Sequence, residues 1–196
     1  MGGDALLRTA SKLASTCGPR LAFQHRHPEA TGREFFEEGK ALATVCAGHG
    51  SPLFINERLD MALHLRAHLH LPEAALAPRE ARPFAWEGML ISAAAHASTP
   101  AERLVGADFA LLSPVFAPGS KPVVAHALLG REGFLEHATR LGVPCVALGG
   151  IDVGSVRSLE GKRALAGIAA VSAFWKSSEP ESAALALIAW ASLHVR

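Results

Sequence analysis

Nothing in the 196 residues reads as a linker: no Pro/Ser-rich stretch and no charged tether interrupts the chain, so residues 1–196 are expected to form a single domain. Cysteine is scarce. Cys17, Cys46 and Cys145 are odd in number, far apart and set in apolar stretches such as "VPCVALGG", which points to buried free thiols in a reducing cytoplasm rather than a disulfide framework. The opening "MGGDALLRTA" lacks the apolar run after a basic start that marks a secretory signal, and Leu6 stands where a myristoylation motif has Ser or Thr. No stretch reaches the ~18 uninterrupted apolar residues of a spanning helix, so no membrane partner is expected. Charge of one sign is missing too. Nineteen basic residues face eighteen acidic ones for a formal charge of +1, and they are scattered, which argues against nucleic acid as a partner.

What the chain has is apolar side chain: 49% hydrophobic and 19% charged residues suffice to bury one sizeable core. Short apolar runs alternate with helix-like segments from end to end, the pattern of parallel strand–helix–strand units. The expected strands are "RLAFQH" (20–25), "PLFIN" (52–56), "HLHL" (68–71), "MLISA" (89–93), "DFALLSPVF" (108–116), "PCVALGG" (144–150) and "GIAAVSAF" (167–174). Between them, "TGREFFEEGKALATVCA" carries Thr31 and Glu34 at capping-box spacing, and "RLDMALHLRA", "STPAERLVG", "GREGFLEHATRLG" and "DVGSVRSLEG" also read as helices. "EPESAALALIAWASLHV" ends the chain on a further helix. Seven such units predict an α/β fold of the TIM-type (β/α) barrel, with an open doubly wound sheet as the alternative.

One element is absent. The chain starts on a helix, "DALLRTASKLASTCG", with no strand before it, so the barrel is expected to lack its first strand. The gap is then filled by a bent N-terminus, a partner subunit or nothing, and apolar residues left uncovered there suggest a homodimer.

In such barrels the reactive groups stand at the C-terminal ends of the strands. Reading past each apolar run collects Gln24, His25, Arg26, Asn56, Glu57, His70, Glu73, Ser92, His96, Ser113, Gly149, Gly150 and Ser172, a polar and partly basic set suited to a phosphorylated ligand. Consecutive glycines, Gly149 and Gly150, let backbone amides approach an anion closely, and amides after the last strands commonly hold phosphate in this fold; the alternative is a tight strand-to-helix turn. The loop "SPVFAPGSKP" adds Ser120 and Lys121 between prolines, a lysine able to meet a phosphate as a point charge.

Taken together, "PLFINERLDMAL...HLHLPE", "LLSPVFAPGSKP...LGREGF", "VPCVALGGID" and "IAAVSAFW" resemble, in this order and spacing, thiamine phosphate synthase and its relative, the TenI-type thiazole tautomerase, over about residues 20–190. The resemblance implies a TIM barrel that binds a small phosphorylated heterocycle, a thiazole phosphate. In the synthase it is joined to a pyrimidine methyl diphosphate with magnesium and release of diphosphate. The half that holds thiazole phosphate matches: Gly149 and Gly150 at the turn, Val171 and Ser172 at the last strand, and Ser120 in place of a threonine. Lys121, a diphosphate contact in the family, and Asn56 are also present.

The other half departs from the family. Its Gln-Leu-Arg-Glu-Lys motif reads Ala22, Phe23, Gln24, His25, Arg26, leaving Gln24 and Arg26 as the diphosphate-side polar groups. One magnesium aspartate falls at Glu57. The other falls at Ala75, which cannot coordinate, with Glu73 as the neighbouring carboxylate able to stand in. A diphosphate-contacting serine falls at Ala94. Magnesium neutralises the charge of a departing diphosphate, so synthase chemistry is expected to be reduced or lost. The tautomerase needs no metal, only an acid/base group; its histidine position falls at Pro114, and His96, His70 or His126 could substitute, His96 being the catalytic candidate together with Lys121. Two readings from other classes stay open: a non-catalytic barrel that binds thiazole phosphate or thiamine phosphate, and an unrelated barrel isomerase of a small phosphorylated metabolite.

The three histidines of "HLRAHLHLPEAA", His64, His68 and His70, invite a metal reading. A helix running to about Arg66 would hold His64, His68 would fall at the turn after it, and only His70 would belong to a strand reaching the barrel mouth, so no metal cluster is expected there.

Overall fold

The apolar runs become seven parallel strands in a computed structural model that describes residues 3–117, 128–160 and 164–195. They are β1 (Phe23–His25), β2 (Leu53–Asn56), β3 (His68–Leu71), β4 (Ile91–Ala95), β5 (Phe109–Leu112), β6 (Cys145–Leu148) and β7 (Leu165–Ala169), in one sheet whose order follows the chain. The helices are α1 (Gly3–Cys17), α2 (Gly32–His49), α3 (Leu59–His64), α4 (Pro78–Ala81), α5 (Gly130–Leu141), α6 (Ser172–Trp175) and α7 (Pro180–His194). At the start of α2 the capping box forms: Glu34 N–H donates to Thr31 Oγ1 at 3.3 Å and Thr31 N–H to the Glu34 carboxylate at 2.8 Å. In α5, Phe134, Ala138 and Leu141 recur at helical spacing and are all buried.

Several expected strands shift. "RLAFQH" pairs only from Phe23, after a 3-10 turn at Gly18–Arg20, and "PCVALGG" forms over Cys145–Leu148. "MLISA" pairs only from Ile91 and runs on to Ala95. "DFALLSPVF" stops at Leu112 because Pro114 has no amide to give, and the amides of Val115 and Phe116 turn aside to the carbonyls of Leu148 and Gly149, both at 2.9 Å. "GIAAVSAF" begins earlier, at Leu165, and ends at Ala169; Ser172–Trp175 is one turn of helix. Two expected helices shrink to single 3-10 turns, Ala101–Leu104 and Ser155–Leu159. Each buries only one or two side chains (Leu104; Val156 and Leu159), so no apolar stripe asks for a second turn.

Strand register sorts the residues onto two faces. Ile55, Leu69, Leu71, Ile91, Ala93, Ala95, Ala110, Leu112, Cys145 and Ala147 share one face, meet the helices and are no more than 2% exposed. Gln24, Phe54, Asn56, His70, Ser92, Phe109, Leu111, Val146 and Gly167 share the other. The rings of Phe54 on β2 and Phe109 on β5 meet edge to face at 5.6 Å although these strands are not neighbours. The sheet is therefore curled, and the second face lines its interior. His68, tilted against Phe54 and stacked on Trp86, completes an aromatic floor, and Arg66 lies over the Trp86 ring at 5.1 Å.

No strand precedes α1 among the described residues, and β7 does not pair with β1. The seven-stranded barrel with an open seam expected from the sequence is what forms. Helix α1 packs against both α2 and α7, so the outer ring of helices is complete where the ring of strands is not. Its Ala10, Leu13, Ala14 and Cys17 are buried in one cluster with Phe23, Leu53 and Ala184; burying Leu13 alone contributes roughly 2 kcal/mol. The N-terminal segment thus backs the seam as helix α1, with these apolar side chains buried against it.

Candidate functional site

The C-terminal ends of β4 to β7 enclose a pocket of about 380 Å³ lined by His96, Ser113, Pro114, Leu148, Gly149, Gly150, Ile151, Ala170, Val171 and Ser172. It gathers six of the residues singled out from the sequence: His96, Ser113, Gly149, Gly150, Val171 and Ser172. Both glycines are required by the backbone. Gly149 and Gly150 have φ of +96° and +63°, and a Cβ on Gly150 would lie 2.7 Å from the Ala117 carbonyl oxygen and 2.7 Å from Phe116 Cβ. The pair is where the loop after β5 is laid against the end of β6, which forms one wall of the pocket. Val171 is 56% exposed although apolar, so the pocket presents a hydrophobic rim beside polar backbone.

His96 is held in one tautomer. Its Nδ1 lies 2.8 Å from the Ser113 carbonyl oxygen, which only accepts, so Nδ1 carries the proton and Nε2 in the neutral ring is a free lone pair. Nε2 faces Glu73 Oε2 at 3.8 Å. The other Glu73 oxygen accepts from Thr99 Oγ1 at 2.8 Å, and Thr99 Oγ1 accepts the His96 amide at 2.8 Å. Two arginines fix the loops. Arg103 Nη2 reaches the carbonyls of Pro72, Glu73, Ala75 and Leu76 at 2.7–3.3 Å, and Arg140 donates to the carbonyls of Thr99 and Ala97, each at 3.0 Å.

Across the barrel mouth, Gln24 Nε2 donates to Asn56 Oδ1 at 3.2 Å, and Arg26 stands exposed at the end of β1. His70 and Ser92 share a buried hydrogen bond of 2.9 Å. Burial, with a smaller contribution from Arg26, pushes the His70 pKa down to about 4, so its ring is neutral near pH 7. His25, predicted at the mouth, points instead to the helix side, where its Nε2 donates to the Phe35 carbonyl at 3.0 Å and its ring packs on Gly39. Burial lowers its pKa as well.

The residues expected to bind metal stand in different settings. Glu57, in left-handed backbone at φ +66°, is exposed, Glu73 is engaged with Thr99, and Ala75 offers no donor. Among the described residues no group of three or more His, Cys, Asp or Glu could hold an ion. His64 packs on Phe36, His68 on Phe54 and Trp86, and His70 bonds Ser92, so each histidine of the "HLRAHLHLPEAA" stretch has its own partner. Ser120, Lys121 and His126 lie outside the described residues. Sequence reasoning missed Thr99, Arg103 and Arg140, whose partners in other loops lie 26 to 43 residues away and leave no spacing signal.

A family model described as thiamine monophosphate synthase matches residues 4–174. The chain belongs to the thiamine monophosphate synthase family. Curated relatives agree with that membership. A thiamine-phosphate synthase of Chlorobium luteolum is 36% identical over 170 residues, 85% of this chain and 79% of the relative. One of Coprothermobacter proteolyticus is 30% identical over 190 residues, 95% and 88%. Among solved structures, a thiamine phosphate pyrophosphorylase from Pyrococcus furiosus superposes with a TM-score of 0.73 at 25% identity, covering 92% of this chain and 86% of that one. A 3-hexulose-6-phosphate synthase from Salmonella typhimurium, at 13% identity and a TM-score of 0.60, shares the fold alone.

Proposed function

We propose that this chain is a thiamine-phosphate synthase relative that binds a thiazole phosphate in the pocket between β4 and β7 and carries a weakened diphosphate side. The observation that supports it most is the pocket itself, in which Gly149, Gly150, Val171 and Ser172 come together with the β5 loop as one wall. On the opposite side, Gln24, Arg26 and Asn56 supply one cation and two amides, while Ala75 and Ala94 remove a carboxylate and a hydroxyl that the family resemblance implies. The carboxylates present fit a magnesium site poorly, since Glu73 is committed to Thr99 and stands beside a histidine, and no step through a metal follows from them. Transfer is therefore slow relative to binding. Calorimetric titration with thiazole phosphate, followed by a diphosphate-release assay with pyrimidine methyl diphosphate, tests this: saturable binding with weak turnover is expected. Absence of thiazole phosphate binding refutes the reading, and rapid turnover refutes the weakened half.

A second reading, proton transfer on the bound thiazole in the manner of a tautomerase, is favoured by one observation. His96 lines the pocket with its tautomer fixed and Nε2 unprotonated in the neutral ring, although the position the resemblance implies for the catalytic histidine is Pro114.

A further inference from the structure

We propose that Glu73 is the positioning carboxylate of His96, which lines the ligand pocket, and that the two, joined through Thr99, form a proton-transfer couple. The inference rests on the reading that a thiazole phosphate occupies that pocket, and it assigns Glu73 a role other than metal binding.

Two hydrogen bonds and one longer contact link the three residues. The His96 amide donates to Thr99 Oγ1, the Thr99 hydroxyl donates its only proton to Glu73 Oε1, and Glu73 Oε2 faces His96 Nε2. Because Thr99 is fully buried and gives its proton to Glu73, that carboxylate is held as an acceptor at a fixed place. The separation of 3.8 Å is beyond hydrogen-bond length, so Glu73 does not consume the Nε2 lone pair; it is close enough to stabilise the imidazolium once a proton arrives. On the other side of the ring, the Ser113 carbonyl holds Nδ1–H and prevents the ring from turning over. These contacts join loops after β3, β4 and β5. Arg103 and Arg140 bind the first two through backbone carbonyls, which leaves little freedom for the pair to drift.

The step balances without a redox partner. His96 Nε2 accepts the proton of the ring C–H of the heterocycle, the bonding electrons stay on that carbon, and Nε2–H returns a proton to the same carbon. No group leaves and nothing is oxidised. In D2O the returned proton is a deuteron, so the reaction is visible as exchange.

The experiment incubates thiazole phosphate with the intact protein in D2O, follows ring C–H exchange by proton NMR, and measures affinity on the same samples by calorimetry. Exchange is expected to exceed the protein-free rate, to fall about 100-fold or more in His96→Gln and about tenfold in Glu73→Gln. Affinity and melting temperature of Glu73→Gln should stay unchanged, because glutamine still accepts from Thr99 and a purely structural glutamate would then show no phenotype. Bound ligand that exchanges at the buffer rate, or at a rate indifferent to both substitutions, overturns the couple and leaves the ligand reading standing. Failure of the ligand to bind overturns that reading, and the couple with it.

Discussion

Gly150→Ala is expected to destabilise the protein strongly for its size, and the cost can be worked from geometry. At φ +63° an alanine pays about 1–2 kcal/mol for the left-handed conformation. Its Cβ would also stand 2.7 Å from the Ala117 oxygen and 2.8 Å from the Phe116 carbonyl carbon, backbone atoms that cannot rotate away. Forcing them apart adds about 1–3 kcal/mol. The sum, roughly 2–5 kcal/mol, corresponds to a fall in melting temperature of roughly 5–20 °C for a chain of this length. Gly48→Ala serves as the matched control. That position is in α2 with no atom within 4 Å of an added methyl group, so the substitution should be neutral or raise stability by up to about 1 kcal/mol. Differential scanning calorimetry on both variants decides the matter. If Gly150→Ala melts within about 2 °C of the wild type, the close approach of the β5 loop to the glycine turn is not what holds that wall of the pocket.

The His70 ring should make stability depend on pH. Its folded pKa of about 4 lies below the unfolded value near 6.5, so the unfolded chain binds the extra proton first: the contribution is whole above about pH 6.5 and is lost as pH falls towards 4, amounting to a few kcal/mol. Urea midpoints at pH 7.5 and 4.5 should therefore converge more closely in His70→Gln than in the wild type, and an identical pH dependence in the two would refute this. All three thiols are buried, and burial raises Cys46 and Cys145 to about 11, so a disulfide reagent at pH 8 should label the native protein slowly and the urea-unfolded protein at once; fast native labelling would contradict the packing.

The barrel was legible because its signals are local. "HLHL" lies between helix-ending and loop residues and forms a strand over the span expected, His68–Leu71, and Thr31 with Glu34 marks the start of α2. The errors arose where a non-local partner decided the outcome. Val115 and Phe116 read as strand, yet their amides bond to the end of β6, and "STPAERLVG" has helical composition but only Leu104 to bury. The pocket side of the site followed from the rule that reactive groups sit at strand ends, which found His96, Gly149, Gly150 and Ser172. His25 breaks that rule because alternation along β1 sends it to the helix face while Gln24 faces inward. The linkage of Glu73, Thr99 and His96 had no signature at all, since it depends on how two arginine-held loops meet.

The central claim is that the glycine turn and the end of β7 hold a phosphorylated thiazole. Titrating isotopically labelled protein with thiazole phosphate and following backbone amide shifts tests it most directly. The amides of Gly149, Gly150, Val171 and Ser172 should move together, saturate, and respond far less to inorganic phosphate at equal concentration; saturation with these four unmoved, or no saturation at all, would contradict it.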